Sequence, residues 1–273
     1  MNNSMINAMV SMNSIQQRLD VISDNIANVD TVGYKGKQTS FEDTLTRVQQ
    51  QPETYKQDGR STPLGFNMGY GVRLGAITKD MSQGPLKETG QPTDLAMEGS
   101  GLFAVEANGT KAWTRDGSFH FNPDPANPKQ MVLVTKEGYP VLNRQGQPVT
   151  APVNSKVAID DQGNVLVRIG NAAPVVGAQI QFVDPQRPDG LTQQDDNLFV
   201  LSGGLTENDV FGANAALTIP ADSRIRSGYL EQSNVDLTTE MTQMMQIQRT
   251  YQLAARALTS SDTMMNLANN MRG

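Results

Sequence analysis

The sequence predicts a mainly β protein with α-helical termini, in which the N- and C-terminal helices pair as a coiled-coil-like module and the centre is an antiparallel β-rich domain. Three observations carry this. Apolar residues repeat every seven positions at both ends of the chain. The middle is cut into short β-branched and aromatic runs by dipeptides ending in Gly. All 14 Pro lie between Pro52 and Pro220, outside both terminal repeats.

At the N-terminus Met5, Met12, Leu19 and Ile26 form one row, and Ala8, Ile15 and Ile22 form a second. Asn13, Gln17, Asp20 and Asp24 occupy the opposite face without a Gly or Pro, so one helix is expected to run to about Asn28. At the other end Leu237, Met244, Tyr251, Leu258 and Met265 repeat at sevens, with Ile247, Ala254 and Ala268 beside them. Asp236 or Asn234 is placed to cap that helix by accepting hydrogen bonds from its free N–H groups. Between the helices, Asn108-Gly109, Asp116-Gly117, Glu137-Gly138, Gln145-Gly146 and Gln162-Gly163 read as hairpin turns. Strands are expected at 71–79, 102–106, 118–121, 131–135, 156–160, 164–169, 179–183 and 197–201. The stretch 49–68, rich in Gln, Gly and Pro, reads as an extended connection. The domain reading is therefore 1–34 plus 235–273 as the terminal helical assembly module, 35–92 as a connector with short strands, and 93–234 as the β-rich body.

Composition narrows the function. With 28 acidic and 22 basic side chains the formal charge is −6, the wrong sign for a nucleic-acid partner. The chain has no Cys, which removes disulfides, thiolate metal sites and Cys nucleophiles together. No run approaches the ~20 apolar residues of a membrane span, and the start lacks the basic and continuous apolar segments of a cleavable signal peptide. Of the 14 Met most fall near the ends, where Met supplies adaptable packing. Apolar residues off the seam, Met9 on the first helix and Met241, Met245, Leu253 and Leu267 on the second, widen the stripe beyond a two-helix contact. The expected assembly interface is thus Met5, Met12, Ile15, Leu19, Ile22, Ile26, Leu237, Met244, Ile247, Tyr251, Leu258 and Met265, with the surplus asking for a neighbouring chain.

Three ordered blocks then carry a resemblance. Asp24-Asn25-Ile26-Ala27-Asn28-Val29-Asp30-Thr31-Val32-Gly33-Tyr34-Lys35 is similar to the signature near the start of flagellar rod, hook and hook-associated subunits, through Asn28, Thr31, Gly33, Tyr34 and Lys35. Thr89 to Phe103, followed by Trp113-Thr114-Arg115-Asp116-Gly117-Ser118-Phe119, resembles the family's opening of the β domain and its first hairpin. Gly228-Tyr229-Leu230-Glu231-Gln232-Ser233-Asn234-Val235-Asp236 leads into Glu240, Met244, Gln248, Arg249 and Tyr251, as in the family's last helix. Leu102, Trp113 and Met97 stand where the family usually has Phe, Tyr and Ile, which alters local packing only.

The resemblance to the flagellar basal-body rod and hook-basal body family, and by length to its distal-rod type, implies a structural subunit of a hollow axial tube. It implies itself and other rod or hook subunits as partners, with the flagellar type III export apparatus. It also implies a basal-body location outside the cytoplasm, reached without a cleaved signal, and no cofactor. Phe41-Glu42-Asp43-Thr44-Leu45 looks like the export-gate word of early flagellar substrates, through Phe41 and Leu45. The same spacing also suits two apolar residues one turn apart on a short core helix. An enzyme is not expected, and no catalytic, cofactor-binding or metal residue is assigned. The single His120 alternates with aromatics in a strand, and Asp160-Asp161 and Asp195-Asp196 sit by turns where acidic residues are common. A hook or hook-associated subunit is the alternative, followed by a secreted wall-glycan-binding module, for which one Trp and six Tyr are few aromatics.

Overall fold

The computed structural model describes residues 2–43, 47–49, 66–68, 72–125, 127–170, 173–194, 197–212 and 223–271. The fold is mostly antiparallel β with a helix near each end of the chain, and it divides into two compact units.

The first unit is built from Met1–Ala27, Lys37–Thr78 and Asp236–Gly273. It contains helix α1 (Asn2–Ala27), strands β1 (Lys37–Asp43), β2 (Arg47–Gln49), β3 (Phe66–Met68) and β4 (Val72–Lys79), and the long closing helix α3 (Leu237–Asn270). β1 pairs with β4 and β2 with β3. The helices pack against one another, and the sequence pattern explains which sides do so. On α1, Ala8, Met12, Ile15, Leu19, Ile22 and Ile26 are all buried or half-buried. On α3 the same holds for Glu240, Met244, Ile247, Ala254, Leu258, Ser261 and Met265, which follow one another at three or four residues except across the exposed Tyr251, where the step is seven. Phe41 lies in strand β1, so a short core helix through it is excluded; Leu45 lies outside the described residues. Of the 49–68 connection, Gln49 and 66–68 belong to the β2–β3 ladder, and the rest lies outside the described residues.

The second unit comprises Asn28–Gly36 and Lys79–Val235. Its strands are β5 (Leu86–Glu88), β6 (Leu95–Glu98), β7 (Leu102–Ala107), β8 (Thr110–Thr114), β9 (His120–Pro123), β10 (Gln130–Val134), β11 (Thr150–Pro152), β12 (Ser155–Ile159), β13 (Asn164–Ile169), β14 (Val175–Gln179), β15 (Phe182–Val183), β16 (Leu191–Gln194) and β17 (Leu198–Leu201). They are followed by the short helix α2 (Glu207–Phe211), β18 (Arg224–Ser227) and β19 (Tyr229–Glu231). A five-stranded sheet runs β15-β7-β8-β17-β16, and two three-stranded sheets run β11-β10-β9 and β12-β13-β14. Strand β7, between β15 and β8, is buried on both sides, and alternation splits it between two cores. Phe103 and Val105 join Phe119, Leu133, Val165 and Ile225 in one; Leu102 and Ala104 join Trp113, Phe199 and Phe211 in the other. The unit is closed by its last strands, β18 on β6 and β19 on β5.

Most expected strands start or stop within a residue or two of the observed ones. Two differ more. Ser118 makes only an isolated bridge to Asp94 and the strand begins at His120, because Gly117 and Ser118 are held in a turn by the Asp116 carboxylate. The run 179–183 is split: Gln179 ends β14, Ile180 bridges Asn143, and only Phe182–Val183 pairs with β7.

Candidate assembly site: polar staples and open helix faces

In the first unit, Asn25 is almost fully buried and works as a staple. Its Oδ1 accepts the Lys37 backbone N–H at 2.9 Å, and its Nδ2 donates to the Lys37 carbonyl at 2.9 Å and to Glu240 Oε1 at 3.3 Å. One amide thus satisfies the first residue of β1 and reaches the first turn of α3, using the donor and acceptor geometry only Asn or Gln offers. Lys37 Nζ also meets Asp24 at 2.5 Å. Burial raises the Glu240 carboxyl above its ordinary 4.5, against the opposing pull of Asn25 and Arg18. Its Oε2 is buried without a hydrogen bond among the described residues. Asp236 caps α3: its carboxylate accepts from the N–H groups of Thr238 and Thr239 and the Thr239 hydroxyl, and these bonds hold it below 3.8. Asn234, the other candidate cap, is engaged in the second unit, where it accepts from Gly36 N–H and donates to the Asp80 carbonyl, both at 2.8 Å.

The second unit holds a buried charge triad. Glu231 accepts from Lys35 Nζ at 2.8 Å, from Arg115 Nε at 2.5 Å and from the Gly84 N–H at 2.8 Å. All three side chains are at most 1% exposed. Two cations on one carboxylate leave an excess positive charge, and backbone carbonyls absorb it. Lys35 donates to Ser82 O at 2.6 Å, and the Arg115 guanidinium to the carbonyls of Met97, Gly99 and Gly101. Burial pulls the Lys35 ammonium below its usual 10.5, the Arg115 charge adds to this, and Glu231 opposes both. Gly33 makes the approach possible: it turns at φ +68°, its N–H donates to Glu231 O at 2.8 Å, and a Cβ there would lie 2.7 Å from Arg115 backbone carbon. Tyr34 is buried beside it, and Thr31 donates to Asn28 Oδ1 at 3.2 Å. The three resembling blocks of the sequence therefore meet at one carboxylate. Glu231 and Arg115 were not singled out as site residues in the sequence, because no local pattern marks two charges 116 residues apart as partners.

Of the residues expected at an interface, Met5, Met12, Ile15, Leu19, Ile22, Ile26, Met244, Ile247, Leu258 and Met265 are buried or half-buried, while Leu237 and Tyr251 are exposed. The surplus residues Met9, Met241, Met245, Leu253 and Leu267 are all exposed, Leu253 and Leu267 at 64% and 65%. His120 is half-buried on β9, Asp160 and Asp161 are exposed at the β12–β13 turn, and Asp195 and Asp196 lie outside the described residues. Among the described residues no cluster of His, Cys, Asp or Glu is placed to hold a metal ion, and no helix is long and apolar enough to cross a membrane.

Polar staples fix the segments flanking the helices and apolar rows stay open along the helices themselves, an arrangement that suits a structural subunit. The chain belongs to the flagellar basal-body rod protein family. Its residues 5–35 match the flagella basal body rod protein model, 96–167 the flagellar hook protein FlgE/F/G D1 domain, and 226–271 the flagellar basal body rod FlgEFG protein C-terminal model. It is 32% identical to the flagellar hook-basal body complex protein FlhP of Bacillus subtilis, over 98% of this chain and 99% of that one. To the flagellar basal-body rod protein FlgG of Borreliella burgdorferi it is 33% identical, over 96% and 95%. To FlgG of Bacillus subtilis it is 32% identical, over 98% of both.

Proposed function

We propose that this chain is a structural subunit of the bacterial flagellar rod, of the distal type, polymerising through its terminal helices into a hollow axial tube. The observation that carries this is the row of exposed Met and Leu side chains along α1 and α3, left over after the two helices have packed on each other. Exposed apolar side chains gathered in this way mark a surface for contact with a neighbour. In this reading the module 1–34 plus 235–273 pairs in a coiled-coil-like manner at the inner wall, the body 93–234 lies outside it, and 35–92 connects them. Contacts that repeat head to tail without closing a ring generate the tube. The partners are further copies, other rod and hook subunits, and the type III export apparatus that delivers the unfolded chain beyond the cytoplasm without a cleaved signal.

Phe41 and Leu45 serve, in the same reading, as an export-gate word read from the unfolded chain, which is compatible with Phe41 ending up in a strand. Secretion of Phe41→Ala/Leu45→Ala is expected to fall while the purified protein melts normally; undiminished secretion removes the gate role. The assembly reading is tested by amide hydrogen exchange on α1 and α3 at low concentration and in sedimented polymer. Weak protection that becomes strong on polymerisation is expected. Strong protection independent of concentration, with no sedimenting species, overturns it.

A further inference from the structure

The sheet β12-β13-β14 carries a polarity that the helices do not explain. At one end, where β12 begins, β13 ends and β14 begins, Val153, Ile169, Val175 and Val176 are exposed, the last three at 60–67%. Among the described residues of the second unit, Leu205 is the one other large aliphatic side chain so exposed. Scattered apolar residues on a surface need no explanation; four gathered at one sheet end do. Beside them Lys156 and Arg168 are directly paired across the strands, both exposed, and neither forms an ion pair among the described residues. Like charges opposite one another on a sheet are unfavourable and persist where something else offsets them.

The opposite end of the same sheet has the complementary chemistry. The β12–β13 turn presents Asp160 and Asp161, both exposed. The turn is fixed by Asp160 Oδ1 accepting the Asp161 N–H at 2.8 Å and by Gly163 N–H donating to Asp160 O at 2.8 Å. The two ends are separated by about 16 Å at ~3.3 Å per residue. In an end-on contact between identical chains, opposite signs at the two ends of one short sheet suit a translation-like arrangement, because an end-on two-fold sets each end against its own like.

We propose that this sheet makes a second, head-to-tail contact of the polymer, in which the aliphatic and basic end of one copy receives the Asp160–Asp161 turn of the next. The inference rests on the reading that the chain polymerises. The aliphatic side chains supply the burial, and the Lys156–Arg168 pair selects and orients the acidic turn.

The absence of Cys makes this directly testable. Cys is introduced at Pro174 and Gln162, exposed positions at the two ends that leave every residue of the proposed contact in place. Full-length Pro174→Cys/Gln162→Cys, polymerised and treated with a short bis-maleimide, is expected to give a ladder of covalent multimers, and each single variant only monomer. Adding Lys156→Glu/Arg168→Glu is expected to reduce the ladder at least tenfold, and adding Asp160→Lys/Asp161→Lys to the same chain to restore it. Each variant is first matched to the parent by its melting curve. Sedimenting polymer without a ladder overturns this contact and leaves the rod reading standing. Dimers from a single-Cys variant overturn the head-to-tail geometry. No polymer and no ladder at any concentration overturns both. Binding to anionic lipid vesicles that Lys156→Glu/Arg168→Glu abolishes, without a ladder, assigns the basic end to a lipid surface and overturns the second copy as its occupant.

Discussion

Glu231 is the residue on which most of the body unit's polar architecture converges. Replacing it with Gln leaves Lys35 and Arg115 buried without a counter-charge, and breaking a buried pair in this way costs about 3–5 kcal/mol. Urea unfolding of Glu231→Gln is expected to show a loss of that size, with the slope unchanged. The helical unit has its own titrations, and their signs differ. Asp236 lies below 3.8 when folded, so its contribution is present above that value and is lost as pH falls through the folded value. Glu240 lies above 4.5 when folded, so the unfolded chain releases that proton first and stability declines as pH rises from 4.5 through the folded value. Helicity followed by circular dichroism against pH is expected to peak in the interval just above Asp236's ordinary value, and Glu240→Gln to flatten the upper limb alone.

Elements show where local pattern suffices and where it does not. α1 and α3 were legible because an uninterrupted seven-residue repeat specifies a helix; it also marks the buried side of α1, whereas on α3 Leu237 and Tyr251 of the repeat are exposed. β7, β10, β12, β13 and β17 were legible as β-branched runs between Gly turns. β5, β6, β18 and β19 were not: each has only three or four residues, and what makes them strands is pairing across more than a hundred residues, as Leu230 with Lys87. β14 escaped notice because its first valines face water, so no alternation marks it. The staple was half legible. Lys35 stands in a recognisable signature, but its partner is 196 residues away and no local rule connects them. One turn shows how tightly these elements are seated: a Cβ on Gly117 would sit 1.6 Å from the Leu95 carbonyl oxygen. Gly117→Ala is therefore expected to lower stability by about 1–3 kcal/mol or more, read by thermal unfolding, since β6 must shift to admit the methyl.

At the scale of the molecule, stability and assembly are carried by different surfaces. Leu253 and Leu267 are mostly in water in the single chain, so Leu253→Glu/Leu267→Glu is expected to change monomer unfolding by no more than about 0.5 kcal/mol per site. The same variant is expected to abolish sedimenting polymer, because a charge then enters the row that neighbours must cover. A variant that still polymerised would move the contact away from this row of α3. The feature of widest reach is that β18 and β19 are the last strands of the body and pair with β6 and β5 near its beginning. Any process that releases this protein from its N-terminus forward, whether synthesis or passage through a narrow channel, withholds the final strands until nearly the whole chain has emerged. Until then β5 and β6 have open edges and Lys35 and Arg115 have no carboxylate. The order of residues along the chain thus acts as a timer that keeps the polypeptide threadable until almost none of it remains to be threaded.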